Sequence, residues 1–183
     1  MKSLPCCLAV CPPPRVAWRQ ARKFAEQALA LDPNYVEAYI RLARTYLTDA
    51  QTGWADNRED ALSRCIELVQ RALHLDANYP DTYNILGAIY LFIRDYDDAI
   101  AYTEKAISLN PNHSLAKASL GMILTYAGMP EKSVPLLQDA MRLSPYYPDW
   151  FLGELARAYF QTFLVIINNL LFSVRWASLH SSF

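Results

Sequence analysis

A short punctuation motif recurs along this chain at fixed intervals and constrains the fold more than any other feature. Its copies are Leu31–Asn34, Leu75–Asn78, Leu109–Asn112 and Leu143–Tyr146, so successive copies are 44, 34 and 34 residues apart. A fixed period of roughly 20 to 50 residues is typical of stacked repeats. The spacing therefore predicts an array in which each unit packs on its neighbours, without a single central core.

The stretch Pro80–His113 shows what one unit contains. Apolar residues recur at spacings of three and four on both sides of Arg94 and Asp95, which predicts two amphipathic helices joined by a turn. Gly87 and Ala99 have minimal side chains where the helices would face each other. We therefore expect a helical hairpin whose two backbones approach closely.

The residue order of this unit resembles the tetratricopeptide repeat, a helix–turn–helix of about 34 residues. The matching residues are Tyr83, Leu86, Gly87, Tyr90, Ala99, Ala106 and Pro111. Thr103 stands where the family has an aromatic residue, and we expect Tyr102 beside it to take that place. The resemblance implies an all-α fold, a right-handed superhelical solenoid of antiparallel helix pairs.

The pattern predicts about four units over residues 16–161. The array begins with an incomplete unit, of which only the second helix is present, and this helix ends before Pro33. The following unit is complete and is ten residues longer than the others, with the extra residues around Trp54. We expect a capping box from Asp56 and Glu59 at the start of the following helix, which reaches His74. Two interpretations of Trp54 stay open: its ring folds onto the two lengthened helices, or it forms a tip that contacts a partner. The first helix of the last unit is indicated by Leu152, Leu155, Ala156 and Tyr159.

Both ends of the chain depart from the repeat pattern. Residues 1–15 contain a three-proline run and predict an irregular lead-in, in which Cys6, Cys7 and Cys11 lack a second pair at zinc spacing. Within residues 162–183 the apolar run is interrupted by Asn168 and Asn169, is followed by Arg175, and falls short of the roughly 20 residues of a bilayer span. We expect an apolar helix there that buries one stripe on the array. The alternatives are membrane contact through 163–174, or a tail that is not native to the repeat protein.

The expected buried stripe of that C-terminal helix is Leu164, Ile167, Leu171 and Val174.

Three segments resemble a narrower group within the family. They are LDPNYVEAYIRLARTYL, GWADNREDAL and YPDWFLGELARAYF. Similar segments follow the catalytic domains of bacterial class III nucleotidyl cyclases and occur in some winged-helix regulators. The resemblance implies a bacterial, cytoplasmic signalling protein. It does not imply cyclase or winged-helix activity here, because the 183 residues contain neither portion.

The composition and the histidines give no sign of catalysis or of nucleic-acid binding. The chain has 17 Lys and Arg residues and 18 Asp and Glu residues, so it lacks the excess of positive charge that is typical of nucleic-acid-binding proteins. His74, His113 and His180 fall on different predicted elements and form no acid–base or metal group. We expect no enzyme, no cofactor and no metal.

In the family, the first helix of each pair lines the concave face that binds peptides. Helical spacing predicts that this groove is formed by Glu37, Ile40, Arg44, Leu47, Asn84, Ala88, Leu91, Phe92, Met122, Thr125, Tyr126, Arg157 and Phe160. The Lys and Asn with which some members hold a C-terminal carboxylate are not matched, because Ile40 and Arg44 occupy their places. For Leu91 and Phe92, burial between neighbouring units is an equal alternative.

We therefore expect a protein-interaction scaffold that binds a peptide or partner protein through its concave face, as the regulatory part of a bacterial signalling protein. The alternatives are a C-terminal fragment of a nucleotidyl cyclase without its catalytic domain, and a membrane-associated assembly factor.

Overall fold

The computed structural model describes residues 15–180, with side chains placed as far as Ile167. The described helices are α1 (Arg15–Leu31), α2 (Val36–Thr52), α3 (Arg58–Leu75), α4 (Pro80–Phe92), α5 (Tyr96–Leu109), α6 (Ser114–Tyr126), α7 (Pro130–Leu143) and α8 (Asp149–His180). This range contains no β-strand. The predictions about Cys6, Cys7 and Cys11 lie outside the described residues.

The helices form consecutive hairpins stacked side by side. The pairs α2–α3, α4–α5 and α6–α7 pack closely, and the first helices α2, α4, α6 and α8 contact one another in order. The second helices α5 and α7 each pack on the first helix of the next unit, α6 and α8. Helix α1 packs on α2 in the same way, so α1 occupies the position of a second helix. The predicted all-α solenoid is confirmed.

The punctuation motif is a side-chain turn that separates one hairpin from the next. In three copies a side-chain oxygen accepts a hydrogen bond from the backbone amide two residues later. These bonds join Asn34 N to Asp32 Oδ1 at 2.9 Å, Asn78 N to Asp76 Oδ1 at 2.8 Å, and Asn112 N to Asn110 Oδ1 at 3.1 Å. The carboxylate or amide at this position therefore fixes the chain reversal.

The ten extra residues lengthen α2 and α3 to 17 and 18 residues, against 13 and 14 in α4 and α5. Gly53 ends α2 in the left-handed region, with φ of 72°. Asn57 caps α3, because its Oδ1 accepts from the Glu59 amide at 2.9 Å. The predicted capping box starting at Asp56 is wrong by one residue.

Helices α4 and α5 approach most closely at Gly87. A β-carbon built there would overlap the Thr103 hydroxyl oxygen and lie 3.0 Å from the carbonyl oxygen of Ala99. Thr103 is fully buried and itself fills the place where the family has an aromatic residue. The prediction for Tyr102 is wrong, because its ring stacks on that of Tyr90 with centroids 5.0 Å apart.

Helix α8 is rotated by one residue relative to the predicted register. It buries Phe151, which packs against Tyr147 and Trp150, and leaves Leu152 and Tyr159 exposed. A phenylalanine gains more from burial than the leucine beside it, and this difference favours the observed register. The prediction from Leu152, Leu155, Ala156 and Tyr159 is therefore wrong by one position.

Beyond the array α8 continues without a break to His180. The side chains from Phe163 to Ile166 are exposed, and that of Ile167 is half-buried. The expectation that Leu164 is buried on the array is wrong, because the segment extends away in place of folding back. Leu171 and Val174 lie beyond the described side chains.

Candidate functional site

The four first helices present one shared face, which we call the first-helix face. Its accessible members are Arg44, Ala88, Leu91, Met122, Tyr126, Arg157 and Phe160. Tyr126, Arg157 and Phe160 are exposed, and the others are half-buried. Stacked helix pairs use such an extended face for binding.

Several predicted groove residues are not accessible on this face. Ile40 and Leu47 belong to the hydrophobic core shared by α1, α2, α3 and α4, and Asn84 and Thr125 are also buried. Helical spacing alone placed them in the groove because it cannot distinguish a position facing the next unit from one facing open space. Phe92 is half-buried, and the Arg58 guanidinium lies 4.4 Å from the centre of its ring.

At one end of the face a polar network joins α2, α4 and α6. The Tyr79 hydroxyl donates to the Glu37 carboxylate, and Asp81 lies 3.3 Å from Nε2 of His113 and 4.0 Å from Nη2 of Arg44. Burial alone would raise the pKa of Asp81, but the His113 hydrogen bond and the nearby positive charges outweigh it and lower the pKa. The network favours an ionised carboxylate at this end.

Arg44 has hydrogen-bonding capacity that the described residues do not meet. Its Nε and Nη2 are buried without a hydrogen-bond partner, as is Oδ1 of Asn84 on the neighbouring helix. Burial lowers the pKa of the Arg44 guanidinium, and Asp81 opposes this effect. A buried polar group without a partner costs about 1–3 kcal/mol.

At the opposite end Arg157 and Tyr126 join α8 to α6. Arg157 Nη1 donates to the Tyr126 hydroxyl at 2.7 Å, and the guanidinium carbon lies 5.0 Å from the centre of the tyrosine ring. Arg157 Nε also lies 3.4 Å from the buried carboxylate of Glu154. These contacts hold an exposed positive charge and an aromatic ring in a defined arrangement.

The polar residues Tyr79, Asp81, His113 and Glu154 were not predicted as part of this face. One signal was present in the sequence: Glu37 and Asp81 are 44 residues apart, as are the two copies of the punctuation motif that precede them. Comparing the units position by position would have placed both carboxylates at the same point of successive first helices.

A cavity of about 480 Å³ lies beside the lengthened unit. Its lining includes Arg15, Arg22, Tyr46, Asp49 and Trp54. Arg15 Nη2 donates to the Trp54 carbonyl at 2.8 Å, and Arg22 Nη2 donates to Asp49 Oδ2 at 2.8 Å. Trp54 is half-buried among the lengthened helices, which favours the interpretation that it packs there.

The described residues assemble no group of three or more His, Cys, Asp or Glu side chains placed to hold a metal ion. His74 is exposed on α3, whereas His113 lies against Asp81. The expectation that the chain is not an enzyme stays a prediction.

Comparison with known proteins agrees with this architecture. Residues 24–57 and 80–113 each match a family model described as tetratricopeptide repeat. A tetratricopeptide protein of Thermus thermophilus superposes with a TM-score of 0.65 at 18% identity, covering 79% of this chain and 74% of that chain. The PilF protein of Pseudomonas aeruginosa superposes with a TM-score of 0.58 at 21% identity, covering 83% and 64%. At these identities the likeness shows the fold.

Relatives in sequence include the transcriptional regulator HilA of Salmonella typhimurium, 29% identical over 127 residues, which are 69% of this chain and 23% of HilA. The DnaJ homolog subfamily C member 7 homolog of Schizosaccharomyces pombe is 30% identical over 104 residues, which are 56% of this chain and 20% of that protein. The chain thus spans about a quarter of the length of HilA.

The stacked hairpins and their shared face define a helical-repeat scaffold. With two units matching the family model, the chain is a tetratricopeptide-repeat protein. It is a protein-interaction scaffold, because a stacked array of this kind presents an extended binding surface.

Proposed function

We propose that the first-helix face binds an extended or helical segment of a partner protein. The observation that carries this proposal is the arrangement of Arg157 and Tyr126 on adjacent first helices, where an exposed guanidinium donates to the hydroxyl of an exposed tyrosine and lies over its ring. A carboxylate or carbonyl oxygen of a peptide can accept from the other guanidinium N–H groups, and the ring offers an apolar contact surface.

The chemistry along the face indicates what the segment contains. Half-buried Ala88 and Met122 lie between two arginines, Arg44 on α2 and Arg157 on α8. Apolar side chains suit the middle of such a face, and an acceptor or carboxylate suits the Arg157 end. The proposed ligand is a peptide with apolar central residues and an acceptor-rich or acidic residue at the end that contacts Arg157.

The scaffold is also proposed to be the regulatory, partner-docking part of a cytoplasmic bacterial signalling protein. The similarity to HilA, described as a transcriptional regulator, supports a regulatory context. A C-terminal segment of a nucleotidyl cyclase is the alternative context, and the genomic sequence upstream of Met1 distinguishes the two.

The test is a peptide-display selection against the 183-residue chain, followed by dissociation constants for a selected peptide. Tyr126→Ala removes an exposed ring of the first-helix face. We expect Tyr126→Ala to weaken binding by about 2 kcal/mol or more, roughly 30-fold. The matched control is Arg71→Ala on α3, an exposed second-helix arginine that should leave binding unchanged. Unchanged binding by Tyr126→Ala, or a loss of binding in the control alone, would contradict the proposal.

A further inference from the structure

We propose that α8, from Phe163 onward, inserts into the hydrocarbon region of a lipid bilayer. This inference does not depend on what the first-helix face binds. It begins from the 32-residue length of α8, which continues well past the array.

Four consecutive side chains of this segment are exposed and apolar. The exposed fractions are 57% for Phe163, 41% for Leu164, 39% for Val165 and 53% for Ile166. Successive residues of an α-helix are turned by about 100°, so these four point in all directions around the axis. A protein partner that docks from one side covers only part of such a surface. Lipid chains cover all of it, and they favour a helix that is apolar around its circumference.

Length and composition agree with this environment. The stretch Asp149–Ile167, 19 residues, ends in this segment and is long and apolar enough for a membrane-crossing helix; its buried residues, Phe151, Glu154 and Ala158, lie in the part that packs on the array. A core helix of a soluble protein passes the same test, but such a helix is mostly buried. A secretory signal passes it too, but lies near the N-terminus. The end of the stretch, from Phe163 to Ile166, is exposed, whereas a core helix would bury it.

The sequence also sets the length of this segment. Twelve uncharged residues, from Phe163 to Val174, precede Arg175. At about 1.5 Å per residue they form roughly 18 Å of helix, enough to enter one leaflet of a hydrocarbon region about 30 Å thick. Trp176, just beyond this run, belongs to the residue types that favour membrane interfaces. Asn168 and Asn169 within the run weaken insertion compared with a wholly apolar helix.

The experiment is flotation of the 183-residue chain with neutral phosphatidylcholine vesicles in a density gradient. The test variant is Leu164→Asp with Ile166→Asp, and Phe163→Asn is a milder second variant. The matched control is Val16→Asp with Leu31→Asp, which changes two apolar residues of α1 that are 74% and 89% exposed. Thermal melting of each protein checks that the array is folded.

We expect the unchanged chain and the control to float, and the 164/166 variant to lose at least tenfold in partition coefficient with an unchanged melting temperature. Flotation of the folded test variant to the same extent as the unchanged chain would overturn the proposal, and so would failure of the unchanged chain to float. Sedimentation without vesicles identifies the other occupant: a non-floating dimer that the 164/166 substitutions dissociate would show that the segment is an interface between copies.

Discussion

Glu154 occupies in α8 the place that Leu120 occupies in α6, 34 residues earlier. Leu42 and Leu86 hold the same position in the preceding first helices. Glu154 is only 5% exposed, so its carboxylate lies where α2 and α6 have the buried side chains of Leu42 and Leu120. Its Oε2 has no hydrogen-bond partner, although Arg157 lies 3.4 Å away. Helix α8, the first helix of the last unit, therefore packs on the array less favourably than the first helices α2, α4 and α6.

We predict that Glu154→Leu stabilises the protein at neutral pH by about 1–3 kcal/mol, because a desolvated carboxylate is replaced by the residue that the other units use. The Arg157 guanidinium that loses its partner is exposed and keeps its hydrogen bond to Tyr126. Urea denaturation at pH 7 measures the change. A variant less stable than the parent would show that Glu154 contributes favourably to docking.

The same residue predicts a pH dependence. Burial raises the pKa of Glu154 above its usual 4.5, and Arg157 opposes the shift only in part. Because the folded-state pKa is the higher one, the contribution of Glu154 to stability is fully present below pH 4.5 and is lost as pH rises through the folded pKa. Glu154→Gln should therefore flatten the pH dependence of the melting temperature over that window. An unchanged profile in the variant would contradict the assignment.

The contribution of Asp81 to stability should depend on pH in the opposite direction. Burial would raise its pKa, but His113 and Arg44 bring the pKa below the usual 3.8. Its contribution is therefore present above pH 3.8 and is lost as pH falls through the lower, folded-state pKa. We expect Asp81→Asn to cost about 1–3 kcal/mol at pH 7, and less near pH 3. Equal costs at both pH values would show that the loss comes from packing and not from charge.

Substitution of Gly87 should destabilise the protein by overpacking the contact between α4 and α5. A single methyl group there overlaps the Thr103 hydroxyl and meets the backbone of Ala99. We expect Gly87→Ala to destabilise by about 1–3 kcal/mol and Gly87→Leu by at least as much. Thr103→Ala should recover part of the loss in a double-mutant cycle. Gly153→Ala, at an exposed position of α8, is the control and should stabilise by up to about 1 kcal/mol. An unchanged unfolding free energy for Gly87→Ala would contradict the close approach.

Removal of residues 163–183 gives a further prediction. Because the side chains from Phe163 to Ile166 are exposed, a chain ending at Thr162 should have an unfolding free energy within about 0.5 kcal/mol of the full chain and should be more soluble. Thermal melting and binding of a hydrophobic dye measure the two effects. A clear loss of stability would show that the segment caps the array after all.

The repeat architecture was predictable because the turn chemistry at Asp32, Asp76 and Asn110 and the small residue Gly87 are local properties of the sequence. The register of α8 was not. Both Phe151 and Leu152 begin apolar stripes, and only the packing of Phe151 against Tyr147 and Trp150 decides between them.

The candidate site was predictable only in part, for the same reason. The spacing places Ile40 and Tyr126 alike on first helices, but Ile40 is buried because a neighbouring unit lies against it, whereas Tyr126 is 43% exposed. Which side chains remain accessible depends on inter-unit contacts, and the sequence does not show those contacts position by position.

The claim that the first-helix face binds a protein segment is tested most directly by NMR chemical-shift mapping of the chain with a display-selected peptide. Binding on that face predicts the largest shifts at Arg44, Ala88, Met122 and Tyr126, with the second helices α3, α5 and α7 little changed. Shifts confined to the second helices would contradict the account.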